Sequence, residues 1–371
     1  MKTAALAVVA STLGLLLLEG GLRLLTPFPI TTRSHTLPDP VLGHRMDPDY
    51  DGIDRNGFRN PTALERADVA VLGDSHTYGN NVVPADSWPQ RLASGTGLRV
   101  YNFGMGRYGL LQYNALLGRA LALEPSWVIL ALYVSNDLAD VCGTIRTTPH
   151  WSKQASGLGF DPALCASAPD ADAIGPEGWL ERTAIYSALE HHVLQPSRTH
   201  YASRSGRSQG VYSASLPGQE TLFTRKRLEI HERSTALSRP DVSAAFDLAS
   251  RMLERAMQRC ASAGCSFGVL FVPSKASAYH DLLERSGHRP PEIFVRTVAR
   301  ERRIVASLGV LCETLQIRCV DARPDVEAAL ALPVRVYPAG TNAHPLAPGY
   351  AAYATAATRL ISDPPTNDQR R

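Results

Sequence analysis

The 371-residue sequence has no internal repeat, no heptad run and no phosphate-binding glycine loop. Its six cysteines, at 142, 165, 260, 265, 312 and 319, form no metal-type CxxC pair. The histidines do not fall into ligand spacing either, so no metal and no organic cofactor is expected. A formal net charge of only +3 gives no reason to expect nucleic acid as a partner. The even cysteine count fits disulfides in an exported chain, and buried thiols in a cytosolic one. Sequence alone leaves the pairing open; the preferred arrangement joins neighbours, Cys142 with Cys165, Cys260 with Cys265 and Cys312 with Cys319. Hydrophobic content of 44% and charge of 20% are ordinary for a globular protein. The length suits one large α/β domain with an insertion, or two domains.

Four segments follow from composition. In residues 1–25, Thr3 to Leu18 is almost wholly apolar, and only by including Leu22 to Leu25 does it reach the roughly 20 residues of a membrane span. Leu18-Glu19-Gly20 is a poor cleavage site, so export with an uncleaved membrane anchor is expected over a cleaved signal. Residues 26–66, rich in proline, aspartate and arginine, read as a linker wrapping onto the domain, with a turn at Asn56-Gly57-Phe58-Arg59. Residues 67–362 read as one domain, interrupted at about 142–240 by an irregular insertion or cap that holds His191-His192, the polar loop Ser197 to Gly210 and Arg225-Lys226-Arg227. Such basic clusters are usually solvated surface, and adjacent histidines without spaced partners are rarely a metal site. Residues 363–371 read as a frayed tail.

Within the domain, strands alternate with helices. Val69 to Leu72 is a continuous apolar run, as in a strand buried on both faces of a parallel sheet. Further strands are expected at Leu98 to Phe103, Trp127 to Val134, Ser266 to Val272 and Ile317 to Val320. Helices are expected after Asp86 as N-cap, and over Leu110 to Leu123, Val242 to Cys260 (capped by Asp241), Glu292 to Leu315 and Gly349 to Ile361. Connections of helix length imply an α/β fold with a five-stranded parallel sheet.

Ser75 falls at the carboxyl end of the first strand, Gly104 after the second and Asn136 after the third, while His344 precedes the last helix. Open α/β sheets bind ligands at that edge. Acyl transfer from a serine needs a base for its proton and donors for the oxyanion. His344 suits the base; the backbone N–H groups of Ser75 and Gly104 and the uncharged Asn136 amide suit the oxyanion hole. Gly104, Gly106 and Gly109 also spell G-x-G-x-x-G, but the acidic residue expected about 20 positions on would be Glu124, at a helix end. Lys275 and Tyr279, after the fourth strand, lie on the edge that would meet substrate, with surface and core as their default settings. Trp88 and Trp127 read as packing residues.

The blocks Gly73-Asp74-Ser75, the Gly104 turn, Asn136-Asp137 and His344-Pro345, in this order over Val69 to Ile361, resemble those of the SGNH (GDSL-type) hydrolase superfamily. The resemblance implies a flavodoxin-like three-layer α/β/α sandwich. It also implies esterase chemistry with Ser75 as nucleophile, His344 as base, and Ser75, Gly104 and Asn136 as oxyanion donors. Asp74 is then a structural residue outside the triad. The lead-in Asn56 to Arg59 and the apolar N-terminus resemble exported bacterial members. One departure stands out: the family usually carries aspartate three residues before the histidine, and here that position is Thr341, with Asn342 next to it. Either residue, or a carbonyl, would have to orient His344. The expected activity is hydrolysis of a small O-acyl ester, acetyl on a carbohydrate by preference, outside the cytoplasm. The alternatives are an envelope polysaccharide O-acyltransferase using the same serine, and a non-catalytic glycan-binding protein.

Overall fold

The computed structural model describes residues 2–25, 35–168 and 211–362 apart from 215 and 217. His191, His192, the loop Ser197 to Gly210 and the tail 363–371 lie outside the described residues. Strands are numbered in chain order: β1 Thr36–Asp39, β2 Gly43–Met46, β3 Val69–Leu72, β4 Val100–Asn102, β5 Trp127–Leu132, β6 Val211–Ala214, β7 Thr221–Thr224, β8 Ser266–Phe271 and β9 Arg318–Asp321.

Five of them form one parallel sheet in the order β4-β3-β5-β8-β9. Taken by position in the chain this is the flavodoxin-like order 2-1-3-4-5, in which the direction of winding reverses beside β3. Side chains alternate across the sheet. Val69, Val71, Ile129, Ala131 and Leu270 enter one core with Trp88, Tyr279 and Leu360. Ala70, Leu72, Val128, Leu130, Leu132 and Val269 enter the other with Leu116, Leu248 and Ile304. Helices therefore cover both faces, which is why all four residues of β3 are buried and the strand reads as an unbroken apolar run.

The expected elements form, with ends shifted by no more than two residues. The helix after β3's crossover is Trp88–Thr96, preceded by Ser87 rather than capped by Asp86, and Gly97 closes it in the left-handed conformation. The helix expected from Asp241 begins at Pro240. Helices over Asp140–Thr147, Pro149–Gln154, Arg225–Ser234, Lys275–Arg285 and Arg323–Leu330 were not expected, nor were the two antiparallel hairpins β1–β2 and β6–β7. Short polar strands such as Thr-Leu-Pro-Asp carry no clear period, and pairing rather than composition defines them.

The segment read as a linker is built into the domain. Asp54, Phe58, Arg59 and Asn60 are buried. Asn60 Oδ1 accepts the N–H of Asn102 at 2.8 Å and its Nδ2 donates to the Asn102 carbonyl at 3.1 Å, so one side chain occupies the free edge of β4. Arg59 donates to the carbonyls of Gly79 and Val82, each at 2.7 Å.

Two expectations are corrected. Cys142–Cys165 and Cys312–Cys319 are disulfides, but Cys260 and Cys265 are free thiols. These two flank the tight turn at Gly264, where the Cys265 N–H donates to the Cys260 carbonyl at 2.9 Å. Their side chains hydrogen-bond each other, which raises the Cys260 thiol and lowers that of Cys265. Membrane attachment through the N-terminus is not supported. Residues Lys2–Leu25 form a helix with Leu13 and Leu15 to Leu18 more than half exposed, yet among the described residues no helix is long and apolar enough to cross a membrane.

Candidate active site

The chain leaves β3 through Gly73 and Asp74 and enters a one-turn helix, Ser75–Tyr78. Gly73 is required by close approach, since a Cβ there would lie 2.0 Å from Thr77 Oγ1. Asp74 caps the turn, its carboxylate accepting the His76 N–H at 2.9 Å, and Gly79 ends it with φ +88°. Ser75 is thereby fixed at the first helical position, where a backbone N–H has no partner within the helix.

His344 arrives from the loop before the last helix, Ala347–Ser362. Its Nε2 lies 2.8 Å from Ser75 Oγ. Asn342 Oδ1 lies 3.1 Å from His344 Nδ1 and accepts the His344 backbone N–H at 3.0 Å. That backbone donor fixes which end of the amide faces the histidine: it must be the oxygen. The Asn342 amide nitrogen donates to Asn81 Oδ1 at 3.0 Å, and the Asn81 amide nitrogen to the His344 carbonyl at 3.0 Å, which gives the same assignment. An oxygen facing Nδ1 requires the proton on Nδ1 and leaves Nε2 to accept from the serine hydroxyl. Asn342, two residues before the histidine, therefore stands where an orienting group is needed, while Thr341 is exposed.

The oxyanion donors do not all converge. The Gly104 N–H donates to Asn102 Oδ1 at 2.7 Å in a buried contact, so it is already committed. Gly104 instead serves packing: a Cβ there would sit 2.5 Å from the Tyr78 nitrogen. Asn136 follows β5 across the point where the sheet's winding reverses, and its buried Oδ1 has no hydrogen-bond partner among the described residues. That orphan atom is an acceptor, so it does not mark an oxyanion site; a developing oxyanion would be met by the Asn136 amide nitrogen, the donor end of the side chain. Its neighbour Asp137 is fully buried and accepts from Tyr113 Oη at 2.9 Å and the Tyr133 N–H at 2.8 Å. Burial, with Asp74 nearby, raises the Asp137 carboxyl far above its ordinary range.

Asp74 sits 3.4 Å from Ser75 Oγ, a long contact beside the 2.8 Å one to His344. Burial pushes Asp74 up to about 7. The His76 ring centre lies 4.2 Å from that of Tyr133 and 4.8 Å from that of His344, tilted by 36° and 38°. Burial first, then the two histidines His344 and His231, hold His76 well below its usual range, so it stays neutral beside the base.

Several of these parts had no sequence signal. Arg59 fixes the Gly79–Val82 loop that carries Asn80 and Asn81, and Tyr350 Oη donates to the Asn80 carbonyl at 2.9 Å. Asn81 has φ +74°, a left-handed setting that asparagine tolerates. Lys275, expected at the surface, is 3% exposed, and Tyr279 and Trp88 are fully buried. Of the glycines in the fingerprint-like run, Gly109 opens the helix Leu110–Leu121 with its N–H on Gln112 Oε1 at 3.1 Å, again local structure. The cluster His280, Asp281 and Glu284 has ligand atoms within 4.8 Å of one another, but Asp281 is paired with Arg302 and Arg323.

No protein-family model and no curated protein sequence matches the chain. Solved structures do. One is described as a lipolytic protein of the G-D-S-L family from Desulfitobacterium hafniense: 13% identity, TM-score 0.36, covering 79% of this chain and 98% of that one. A catalytic mutant of an acetylxylan esterase from Geobacillus stearothermophilus aligns at 13% identity and TM-score 0.36, over 81% of this chain and 97% of that one. What the chain's own topology shows is an α/β fold with a five-stranded parallel sheet of flavodoxin-like order. At these scores the likeness decides nothing about chemistry, which rests on the chain's own topology and side chains.

Proposed function

We propose that the protein is a serine esterase that hydrolyses an O-acyl ester through an acyl-enzyme on Ser75. The observation that carries this reading is the chain of contacts Ser75 Oγ to His344 Nε2 at 2.8 Å and His344 Nδ1 to Asn342 Oδ1 at 3.1 Å. His344 takes the Ser75 proton as Oγ attacks the ester carbonyl, and the oxyanion is met by the Ser75 N–H and the Asn136 amide. Collapse of the tetrahedral intermediate expels the alcohol, protonated by His344 Nε2. Water, deprotonated by the same nitrogen, then releases the acid and restores the serine. An amide at Asn342 orients the base and holds its tautomer but offers only a dipole to the imidazolium, so turnover is expected to be modest.

The acyl group in this reading is small, acetyl by preference, and a carbohydrate ester is the preferred substrate class. Export is part of the same reading, supported by the disulfides Cys142–Cys165 and Cys312–Cys319, since such bonds persist in oxidising compartments.

The test is release of p-nitrophenol from its acetate ester by the wild type, Ser75→Ala and His344→Ala. Turnover in the wild type that both substitutions abolish, with melting curves unchanged, is the expected result. Equal turnover in Ser75→Ala would refute the assignment. Acyl transfer to an added glycan in excess of transfer to water would replace hydrolase by acyltransferase.

A further inference from the structure

Lys275 is the first residue of the helix Lys275–Arg285, after β8, and is buried. Two physical costs attach to a lysine there. Its charge is taken out of water, and it sits at the positive end of a helix dipole, where cations are disfavoured. No carboxylate offsets them: Lys275 forms no ion pair among the described residues. Instead Nζ donates to the carbonyls of Gly340 at 2.8 Å, Asn342 at 3.1 Å and Leu222 at 3.3 Å, and lies 5.2 Å from the centre of the Phe223 ring. An ammonium has three N–H donors and no acceptor, so three carbonyls satisfy it completely.

Those carbonyls belong to two segments that the lysine bridges. Leu222 and Phe223 lie in β7, while Gly340 and Asn342 lie in the loop that delivers His344. Thr221 Oγ1 contacts the Pro338 and Gly340 carbonyls at 3.0 and 3.2 Å, so the hairpin grips the same loop beside the lysine. On its other side, Asn81 holds the Asn342 amide and the His344 carbonyl. The orienting contact between Asn342 and His344 is a neutral hydrogen bond, worth on the order of 1 kcal/mol. That is too little to hold an imidazole against a free loop. The backbone around Asn342 therefore has to be fixed by something else.

We infer that Lys275 is a positioning residue for catalysis: its ammonium, bound to the Asn342 and Gly340 carbonyls, holds the amide of Asn342 against His344 and so keeps His344 Nε2 free to accept from Ser75. The inference rests on the esterase reading for its kinetic test, but not for its spectroscopic one. Lys275 does not touch substrate; it acts through Asn342.

The full chain is compared as wild type, Lys275→Met, Asn342→Ala and the double variant, with p-nitrophenyl acetate as substrate and the His344 ring nitrogens followed by 15N NMR. Lys275→Met is expected to lower kcat at least about tenfold with KM within about twofold, and Asn342→Ala to do the same. The double variant should fall no further than about threefold below the weaker single, because both substitutions remove one function. In Lys275→Met the His344 nitrogen shifts move from the Nδ1–H form toward a mixture of both tautomers, a change that a general loss of stability does not produce. If Lys275→Met does not fold, Lys275→Gln, which keeps two donors, is read by the same criteria. Wild-type kcat in the lysine variant, multiplicative losses in the double, or an unchanged His344 tautomer would overturn the inference. A wild type without Ser75-dependent turnover would defeat the esterase reading alone, and the tautomer measurement would still decide the role of Lys275.

Discussion

Placing a carboxylate at the position of Asn342 tests the site's wiring most severely, because two effects of opposite sign meet there. In Asn342→Asp the oxygen facing His344 Nδ1 is kept and gains charge. A full charge about 4 Å from the developing imidazolium, at an effective dielectric near 20, is worth about 4 kcal/mol. Against this, the second carboxylate oxygen replaces the amide nitrogen that now donates to Asn81 Oδ1 at 3.0 Å, so two acceptors face each other. Turning the Asn81 amide over relieves that clash but turns its oxygen toward the His344 carbonyl in place of the present 3.0 Å hydrogen bond, at a cost of at least about 1–1.5 kcal/mol. The net gain of at most roughly 2.5–3 kcal/mol corresponds to a rise of up to about 70- to 160-fold in kcat/KM. It stays below the roughly ten-thousandfold that separates aspartate from asparagine in a serine protease, partly because the native asparagine here already enforces the productive tautomer. Asn81→Gly suits the backbone at φ +74° and should reverse sign with background. Alone it lowers kcat/KM a few-fold by releasing Asn342 and His344, and in the Asn342→Asp background it raises kcat/KM by removing the opposed oxygen. The assay is ester turnover across the four-member cycle, with melting temperature as a control on folding. A loss of activity in Asn342→Asp that Asn81→Gly does not repair would refute the reasoning.

Other consequences are simpler. Asn136→Ala removes an oxyanion donor and should reduce kcat by about 10²–10³-fold with little change in KM, measured on the same ester; an unchanged kcat would remove Asn136 from the site. His231 is buried near Arg227, and burial lowers it from 6.5 to about 3. Between those values the unfolded chain binds a proton that the folded one refuses, so stability falls as pH falls below 6.5 by up to about 1.4 kcal/mol per pH unit. Denaturant titrations of His231→Leu over pH 6.5 to 4 should show a shallower loss than the wild type, and equal slopes would contradict the assignment. Asp74 acts with the opposite sign: raised from 3.8 to about 7 by burial, it makes the fold less stable as pH rises through that window. Asp74→Asn should flatten that slope in the same titration.

The sheet was legible because buried parallel strands read as continuous apolar runs, of which Val69–Leu72 is the clearest, and because each is followed by a helix of core-facing period. The positions of Ser75 and His344 were legible for a related reason, since strand ends and the last loop are where such folds collect polar groups. Gly104 misled because a glycine at a strand end has two physical uses, exposing an N–H or permitting close packing, and only the contact with Asn102 Oδ1 tells them apart. Asn342 and Asn81 were illegible as partners. They lie 261 positions apart, and asparagine in a loop is ordinary turn chemistry until its amide is seen facing a ring nitrogen. Lys275 and Arg59 were hardest, because a basic residue in sequence reads as surface. Nothing local reveals that it will be buried on backbone carbonyls bracing the loops on either side of His344.

The most direct test of the central claim is covalent capture of the nucleophile. The full chain is treated with a fluorophosphonate, digested, and the modified residue located by mass spectrometry, with His344→Ala in parallel. A single phosphonyl adduct on the peptide containing Ser75, formed in the wild type and at least about a hundredfold slower in His344→Ala, is the predicted result. No adduct on Ser75, or labelling of Ser75 at the same rate without His344, would contradict the account.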